Sequence, residues 1–121
     1  TDIGQVIHPK SAEGQVEGGF QQGMGYALME NLQFDEETGA CLSADFLDYK
    51  MPTAMEMPSN IETIFIDSNE PSGPYGGKSM SEMALIVPAA AIANAVYNAI
   101  GVRITDLPIT PEKVLRALGK L

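Results

Sequence analysis

Residues 11–31 carry two conflicting instructions, and the conflict restricts the fold more than any other feature of the chain. Val16, Phe20, Met24, Ala27 and Leu28 recur at the spacing of one helical face, with Ser11 as the expected N-cap and Glu13 in the first turn. The same window holds Gly14, Gly18, Gly19, Gly23 and Gly25, and each interior glycine costs a helix roughly 1 kcal/mol relative to alanine. A helix that tolerates this composition must let something come close, either a neighbouring backbone or a ligand, or both. Gln15, with Gly14 and Gly18 about it, leaves its amide room to donate and accept toward a polar group. Gln21 and Gln22, taken singly, read as solvent-facing.

The second informative stretch is Gly76-Gly77-Lys78-Ser79-Met80-Ser81-Glu82. A loop of small residues lets backbone N–H groups approach a bound anion, and the acid that follows is delivered onto the mouth of a helix where it can face the same spot. The plainer alternative is an ordinary turn followed by a first-turn acid favoured by the positive end of a helix.

The remaining segments alternate in type. Leu32–Leu42 is expected to form a hairpin turning through Asp35-Glu36-Glu37-Thr38-Gly39, with Cys41 as a small buried residue. An irregular connection follows, with Met51, Met55 and Met57 among Pro52 and Pro58. Asn60–Asp67 is rich in β-branched residues, with Ile61, Thr63 and Phe65 on one side and Ile64 and Ile66 on the other, which predicts a strand covered on both faces. Pro88 and Gly101 bracket a helix over 88–100, leaving open whether 83–87 begins it, and Thr110-Pro111 starts a last helix through Leu118. Strands and helices mix without a repeating βαβ unit, so the expected class is α+β, a partial domain of two or three helices packed on a small mixed sheet.

Composition narrows function. Sixteen acidic against seven basic residues give a net charge of −9, which disfavours nucleic acids and anionic membranes as partners. No stretch reads as long enough to cross a bilayer and no basic-then-apolar leader precedes the first element, so a soluble chain is expected. The lone Cys41 and lone His8 exclude an internal disulfide and a zinc site of the usual protein-ligand type. Any metal must therefore come on a cofactor or from another chain, and a cytoplasmic setting is the default expectation. With 121 residues beginning at Thr1, the sequence reads as one domain or part of a larger polypeptide.

Four segments in order carry a resemblance. They are Gly14-Gln15-Val16-Glu17-Gly18-Gly19-Phe20-Gln21-Gln22-Gly23-Met24-Gly25, Lys78-Ser79-Met80-Ser81-Glu82, Pro88-Ala89-Ala90-Ala91-Ile92-Ala93-Asn94-Ala95, and the run Gly101–Leu115. Together they resemble the C-terminal part of the molybdenum-binding subunit of the xanthine dehydrogenase and aldehyde oxidoreductase family, and residues 1–121 are expected to be the C-terminal portion of a molybdopterin-binding domain.

The resemblance implies a molybdenum hydroxylase that inserts water-derived oxygen into a C–H bond of an aldehyde or N-heteroaromatic small molecule. Glu82 then falls on the general base, and burial near an anionic cofactor is expected to raise its pKa. Gln15 falls on a glutamine beside the cofactor, and Ser79, Met80 and Ser81 become candidate cofactor contacts. The implied cofactor is molybdenum–molybdopterin, with the cytosine dinucleotide form as one variant. Iron–sulfur clusters and FAD lie on other domains or subunits in the family, so the remainder of the molybdopterin subunit and those units are the implied partners. Residues 1–121 alone are then expected to be inactive. The chain departs from the family's common form at Ser81, where glycine is usual, and at Met83 and Ala84, which bears on substrate choice more than on reaction class. The competing interpretation is a non-catalytic structural or interaction module that keeps the fold.

Overall fold

The computed structural model describes residues 1–121. Its elements, in chain order, are α1 (Pro9–Leu28), a short 3-10 turn (Pro74–Gly76), α2 (Met83–Ile86), α3 (Pro88–Ile100) and α4 (Pro111–Ala117). Helix α1 is the hub, against which both α2 and α3 pack.

Local chemistry explains the helix limits. Helix α1 begins three residues before the expected Ser11 cap: His8 is the N-cap, its Nδ1 accepts from the Ser11 N–H at 3.1 Å, and Pro9 takes the first helical turn. Proline fits there because its missing N–H would have no helical partner. Helix α3 ends at Gly101, whose φ of 73° is left-handed and whose N–H bonds the Tyr97 carbonyl. In α4 the Thr110 hydroxyl accepts from the Lys113 N–H, as its cap position requires. Residues 83–87 do not continue into α3. Pro88 has no N–H to bond back to Ala84, so a single turn stands apart as α2.

The five glycines of α1 divide into two groups. A Cβ on Gly19 would come 2.6 Å from the Ala84 Cβ, and one on Gly23 would come 2.8 Å from both the Leu85 carbonyl oxygen and Pro88. Gly25 is similarly closed by Glu30 and Pro52. Gly19 and Gly23 thus let α2 and the start of α3 lie directly on α1, while Gly25 makes room for the segment after the helix and for Pro52. At Gly14 and Gly18, by contrast, an added Cβ would meet nothing within 4 Å.

The expected mixed sheet is absent, and the α+β assignment is corrected to a helical arrangement joined by irregular segments. Extended pairing is limited to isolated bridges at Asp2 and Ile66, Gly4 and Gly77, and Phe34 and Cys41. A strand needs successive pairs along a ladder, and each of these segments meets its neighbour at one residue only. The Asn60–Asp67 segment is held by the Thr1 ammonium donating to the Ile64 carbonyl at 2.8 Å and the Ile66 N–H donating to the Thr1 carbonyl at 2.8 Å. It is not covered on both faces: Ile64 and Ile66 are 65% and 58% exposed because no element of residues 1–121 packs over them. At the expected hairpin, Asp35 and Leu42 donate to the carbonyls of Ala40 and Gln33. The buried Ser43 hydroxyl accepts from the Gln33 N–H and donates to the Asn31 carbonyl, closing the loop without a ladder. Cys41 is exposed there, contrary to expectation.

The bilayer expectation also needs correction. Met83–Ile100 is long and apolar enough, by length and composition, to cross a membrane. The break at Val87 leaves only the 13 residues of α3 as a continuous helix, about 20 Å against a hydrocarbon core of about 30 Å, and the run lies against α1 through Gly19 and Gly23.

The buried apolar residues are Ile3, Ala12, Met24, Ala27, Ala84 and Ile109. Ile109 ties the approach to α4 to the end of α1 through its N–H, which donates to the Ala27 carbonyl at 2.6 Å.

Candidate functional site

The loop that leads to Glu82 is fixed from the chain's first residues. Gln5 N–H donates to the Gly76 carbonyl at 2.8 Å and Lys78 N–H to the Ile3 carbonyl at 2.7 Å. The Lys78 Nζ meets Asp2 Oδ2 at 2.7 Å, and this ammonium is the foremost reason that the Asp2 carboxyl is lowered to about 2. Gly76, at φ 76°, adopts a left-handed conformation that suits glycine. Gly4, also at positive φ, sits so close to the Gly76 carbonyl that no side chain fits. The small residues of this loop therefore serve chain packing. Their N–H groups are spent as well, Gly76 on the Gly73 carbonyl, Gly77 on Pro74 and Lys78 on Ile3, which removes them as anion donors.

Beyond the loop, Glu82 directly precedes α2. Because Gly19 and Gly23 draw α2 onto α1, the carboxylate comes to the same cavity as Gln15. This cavity, of about 230 Å³, is lined by Gly14, Gln15, Gly18, Gly19, Gln22, Ser81, Glu82 and Leu85. The two open glycines of α1 form part of its wall. An adjoining cavity of about 210 Å³ lies on the other side of Gln15 and is lined also by Met80, Lys78 and His8. The structure thus brings Gln15, Ser81 and Glu82 together and places Met80 next door, sharing Gln15. Ser79 is exposed and lines neither cavity.

The electrostatics of Glu82 run opposite to the expectation of a raised pKa. The Ser81 hydroxyl, and then Glu82's own backbone N–H, stabilise the ionised form and hold this exposed carboxyl below the usual glutamate range. A raised value requires burial, which no element of residues 1–121 provides at this position. Replacing Ser81 with glycine removes the hydroxyl donor, so the Glu82 pKa is expected to rise relative to wild type. In the complete enzyme the acid limb of the pH profile of kcat/KM should move to higher pH in Ser81→Gly; an unmoved limb would show that the hydroxyl does not govern this ionisation.

Gln22 was not foreseen as a cavity residue. Its signal was present in the sequence, since it follows Gln15 by seven positions, nearly two full turns, and so shares its face. No group of three or more His, Cys, Asp or Glu side chains is arranged to hold a metal ion. The polar groups at the Gln15 cavity are amides, a hydroxyl and one carboxylate, and beside the bare faces of Gly14 and Gly18 they fit the edge of a flat, hydrogen-bonding organic cofactor.

Residues 1–58 match the molybdopterin cofactor-binding domain family. A xanthine dehydrogenase molybdenum-binding subunit of Escherichia coli O157:H7 is 45% identical over 113 residues, covering 93% of this chain and 15% of that subunit. The aldehyde oxidoreductase molybdenum-binding subunit of Escherichia coli K12 is 43% identical over 116 residues, covering 95% of this chain and 16% of that one. The chain belongs to the xanthine dehydrogenase and aldehyde oxidoreductase family of molybdenum-binding subunits. The crystal structure of quinoline 2-oxidoreductase from Pseudomonas putida 86 superposes with a TM-score of 0.88 at 34% identity, over 98% of this chain and 15% of that chain. Residues 1–121 span about 15% of the length of the relatives they match.

Proposed function

We propose that residues 1–121 are the C-terminal portion of a molybdopterin-binding domain in a molybdenum hydroxylase, which hydroxylates an aldehyde or N-heteroaromatic substrate with oxygen derived from water. The observation that carries this reading is the convergence of Gln15 and Glu82, from separate elements, on one cavity floored by glycine. In this reading molybdenum–molybdopterin, when bound, supplies the two-electron acceptor and the activation of oxygen.

The chain's own residues have simpler tasks. Gly14 and Gly18 allow a flat group to approach the α1 backbone, since no side chain stands there. Gln15 presents an amide able both to donate and to accept, and so to orient that group. Glu82, ionised with the help of Ser81, accepts a proton at a carboxylate oxygen during the hydroxylation. Met80 supports Gln15 from the adjoining cavity. Ser79, which lines neither cavity, has no role in this scheme.

The remainder of the molybdopterin subunit completes the enclosure, and iron–sulfur and flavin units on other domains or subunits carry the electrons away. The assembly is assigned to the cytoplasm, in keeping with a single unpaired Cys41. The cofactor is taken as molybdenum–molybdopterin with or without a cytosine dinucleotide tail.

Gln15→Ala tests the cradle. In the complete enzyme it is expected to lower the molybdenum and pterin content per subunit, measured by mass spectrometry and pterin fluorescence, with the folded state retained because Gln15 is exposed on α1. Wild-type cofactor content together with wild-type kinetics would assign Gln15 to the scaffold alone.

A further inference from the structure

We propose that the ion pair between Lys78 and Asp2 is a positioning clamp for Glu82: it fixes the approach to α2 and thereby the place at which the carboxylate meets the Gln15 cavity. The inference rests on the functional reading above and adds two positioning residues to it, neither of which lines the cavity of Glu82.

Sixteen acids and seven bases offer many possible pairings, yet residues 1–121 hold one salt bridge, Lys78 Nζ to Asp2 Oδ2 at 2.7 Å. It joins positions 76 residues apart and stands four residues before Glu82. Each partner is held at a second point. Lys78 donates its N–H to the Ile3 carbonyl at 2.7 Å, and Asp2 Oδ1 accepts from the Gly4 N–H at 3.0 Å. One attachment lets a residue pivot, whereas two fix its direction. Glu70 is the other acid within electrostatic reach of Lys78, but its carboxylate is engaged by the N–H and hydroxyl of Ser72.

The chain between Lys78 and α2 has little else to hold it. The N–H groups of Ser79, Met80 and Ser81 make no main-chain hydrogen bond, and Ser79, Ser81 and Glu82 are exposed. Beyond Glu82 the next firm point is Ala84, buried against Gly19 of α1. Glu82 therefore hangs between two anchors, the clamp on one side and the contact of α2 with α1 on the other. An exposed ion pair adds little to global stability, and these two side chains are 35% and 38% exposed. The pair matters instead for position, on which proton transfer depends steeply: a displacement of about 1 Å at a reacting group costs about 100-fold in rate. Nor does it act through its charge on the base, because Ser81 and the Glu82 backbone hold that carboxyl ionised.

The experiment uses the complete enzyme. Asp2→Asn removes the charge but keeps an acceptor for the Gly4 N–H, Lys78→Met removes the ammonium but keeps the stem, and a double variant combines them. Oxidation of benzaldehyde and of hypoxanthine, one from each proposed substrate class, is measured alongside molybdenum content and hydrogen exchange at the Gln5 and Lys78 amides, whose bonds close the same junction. Each single variant is expected to lower kcat by about 10- to 100-fold with KM near wild type, and to speed exchange at both amides. Molybdenum content, the unfolding midpoint and the acid limb of the pH profile should stay as in wild type. The double variant should be no slower than the slower single variant, as for two residues acting as one unit, and Lys78→Arg, which keeps the charge, should recover most of the lost rate. Unchanged exchange, wild-type kcat in either single variant alongside an inactive Glu82→Gln, losses that multiply in the double variant, or no recovery in Lys78→Arg would each overturn the clamp. Loss of molybdenum in Lys78→Met would assign the ammonium to the cofactor, and a moved acid limb would assign it to the ionisation of Glu82; either outcome also overturns the clamp. If the wild type oxidises neither probe, or Glu82→Gln turns over normally, the functional reading fails, and exchange at the two amides alone decides whether the pair holds the loop.

Discussion

Glu82→Gln in the complete enzyme is expected to keep its full molybdenum content and lose turnover by about 10²- to 10⁴-fold, the range typical for removing a positioned general base. The substitution preserves the length and shape of the side chain but removes its capacity to take a proton at neutral pH. Three observations lead to this expectation. Glu82 is the one carboxylate on the Gln15 cavity, Ser81 helps hold it in the ionised form that a base requires, and it is exposed on residues 1–121, so the amide costs the fold little. The measurement pairs kcat/KM with metal content on the same preparation. Turnover at the wild-type level would remove Glu82 from the chemistry, and loss of molybdenum would move it to the cofactor cradle. If the base acts in the rate-controlling step, kcat and kcat/KM should fall together.

The second large effect is expected from Gly19→Val. A Cβ at this position alone would lie 2.6 Å from the Ala84 Cβ and 3.1 Å from the Ala84 carbonyl carbon, so valine must push α2 away from α1. Overpacking of this kind costs about 1–3 kcal/mol, read as a lowered unfolding midpoint. Because α2 begins at the residue after Glu82, the same displacement withdraws the carboxylate from Gln15, and activity should fall together with stability. Gly18→Ala provides the contrast. Its Cβ meets nothing, and exchange of an interior helical glycine for alanine stabilises by up to about 1 kcal/mol. The fold should be as stable as wild type or more so, yet activity should drop because the methyl group enters the cavity that Gly18 lines. Stability and activity moving in opposite directions at Gly18, and together at Gly19, would establish the two kinds of glycine on α1. Unimpaired folding of Gly19→Val would show that α2 is not held by close backbone contact.

The conflict between periodicity and glycine content in α1 was legible from residues 11–31, and so was its meaning that something must come close. Which glycine serves which purpose was not. Gly18 and Gly19 are neighbours in sequence, but one faces open space and the other Ala84, a difference of about 100° around the helix that matters only once α2 is in position. Similarly, Gln15 and Gln22 were given different prospects from their flanking residues, whereas in the folded chain both reach one cavity. The alternation in Asn60–Asp67 was real, yet alternation describes a chain able to enter a sheet. Whether a ladder forms depends on a partner, and residues 1–4 supply only one bridge there. The Gly76-Gly77 loop looked like an anion cradle until its N–H groups were found bonded to the chain's own carbonyls.

The sequence by itself determined the features whose causes lie within a turn or two of chain. These include the start of α3 at Pro88 and its left-handed stop at Gly101, the Thr110 cap of α4, and the ordered motifs that carry family membership. Tertiary structure alone decided that Glu82 and Gln15 share a cavity, that Gly14 and Gly18 remain bare beside them, and that Gln22 lines the same space. Caps and proline effects act through hydrogen bonds and sterics among adjacent residues, so sequence suffices to read them. Convergence of distant side chains depends on how closely two helices can approach, and that distance is set by atoms far apart along the chain.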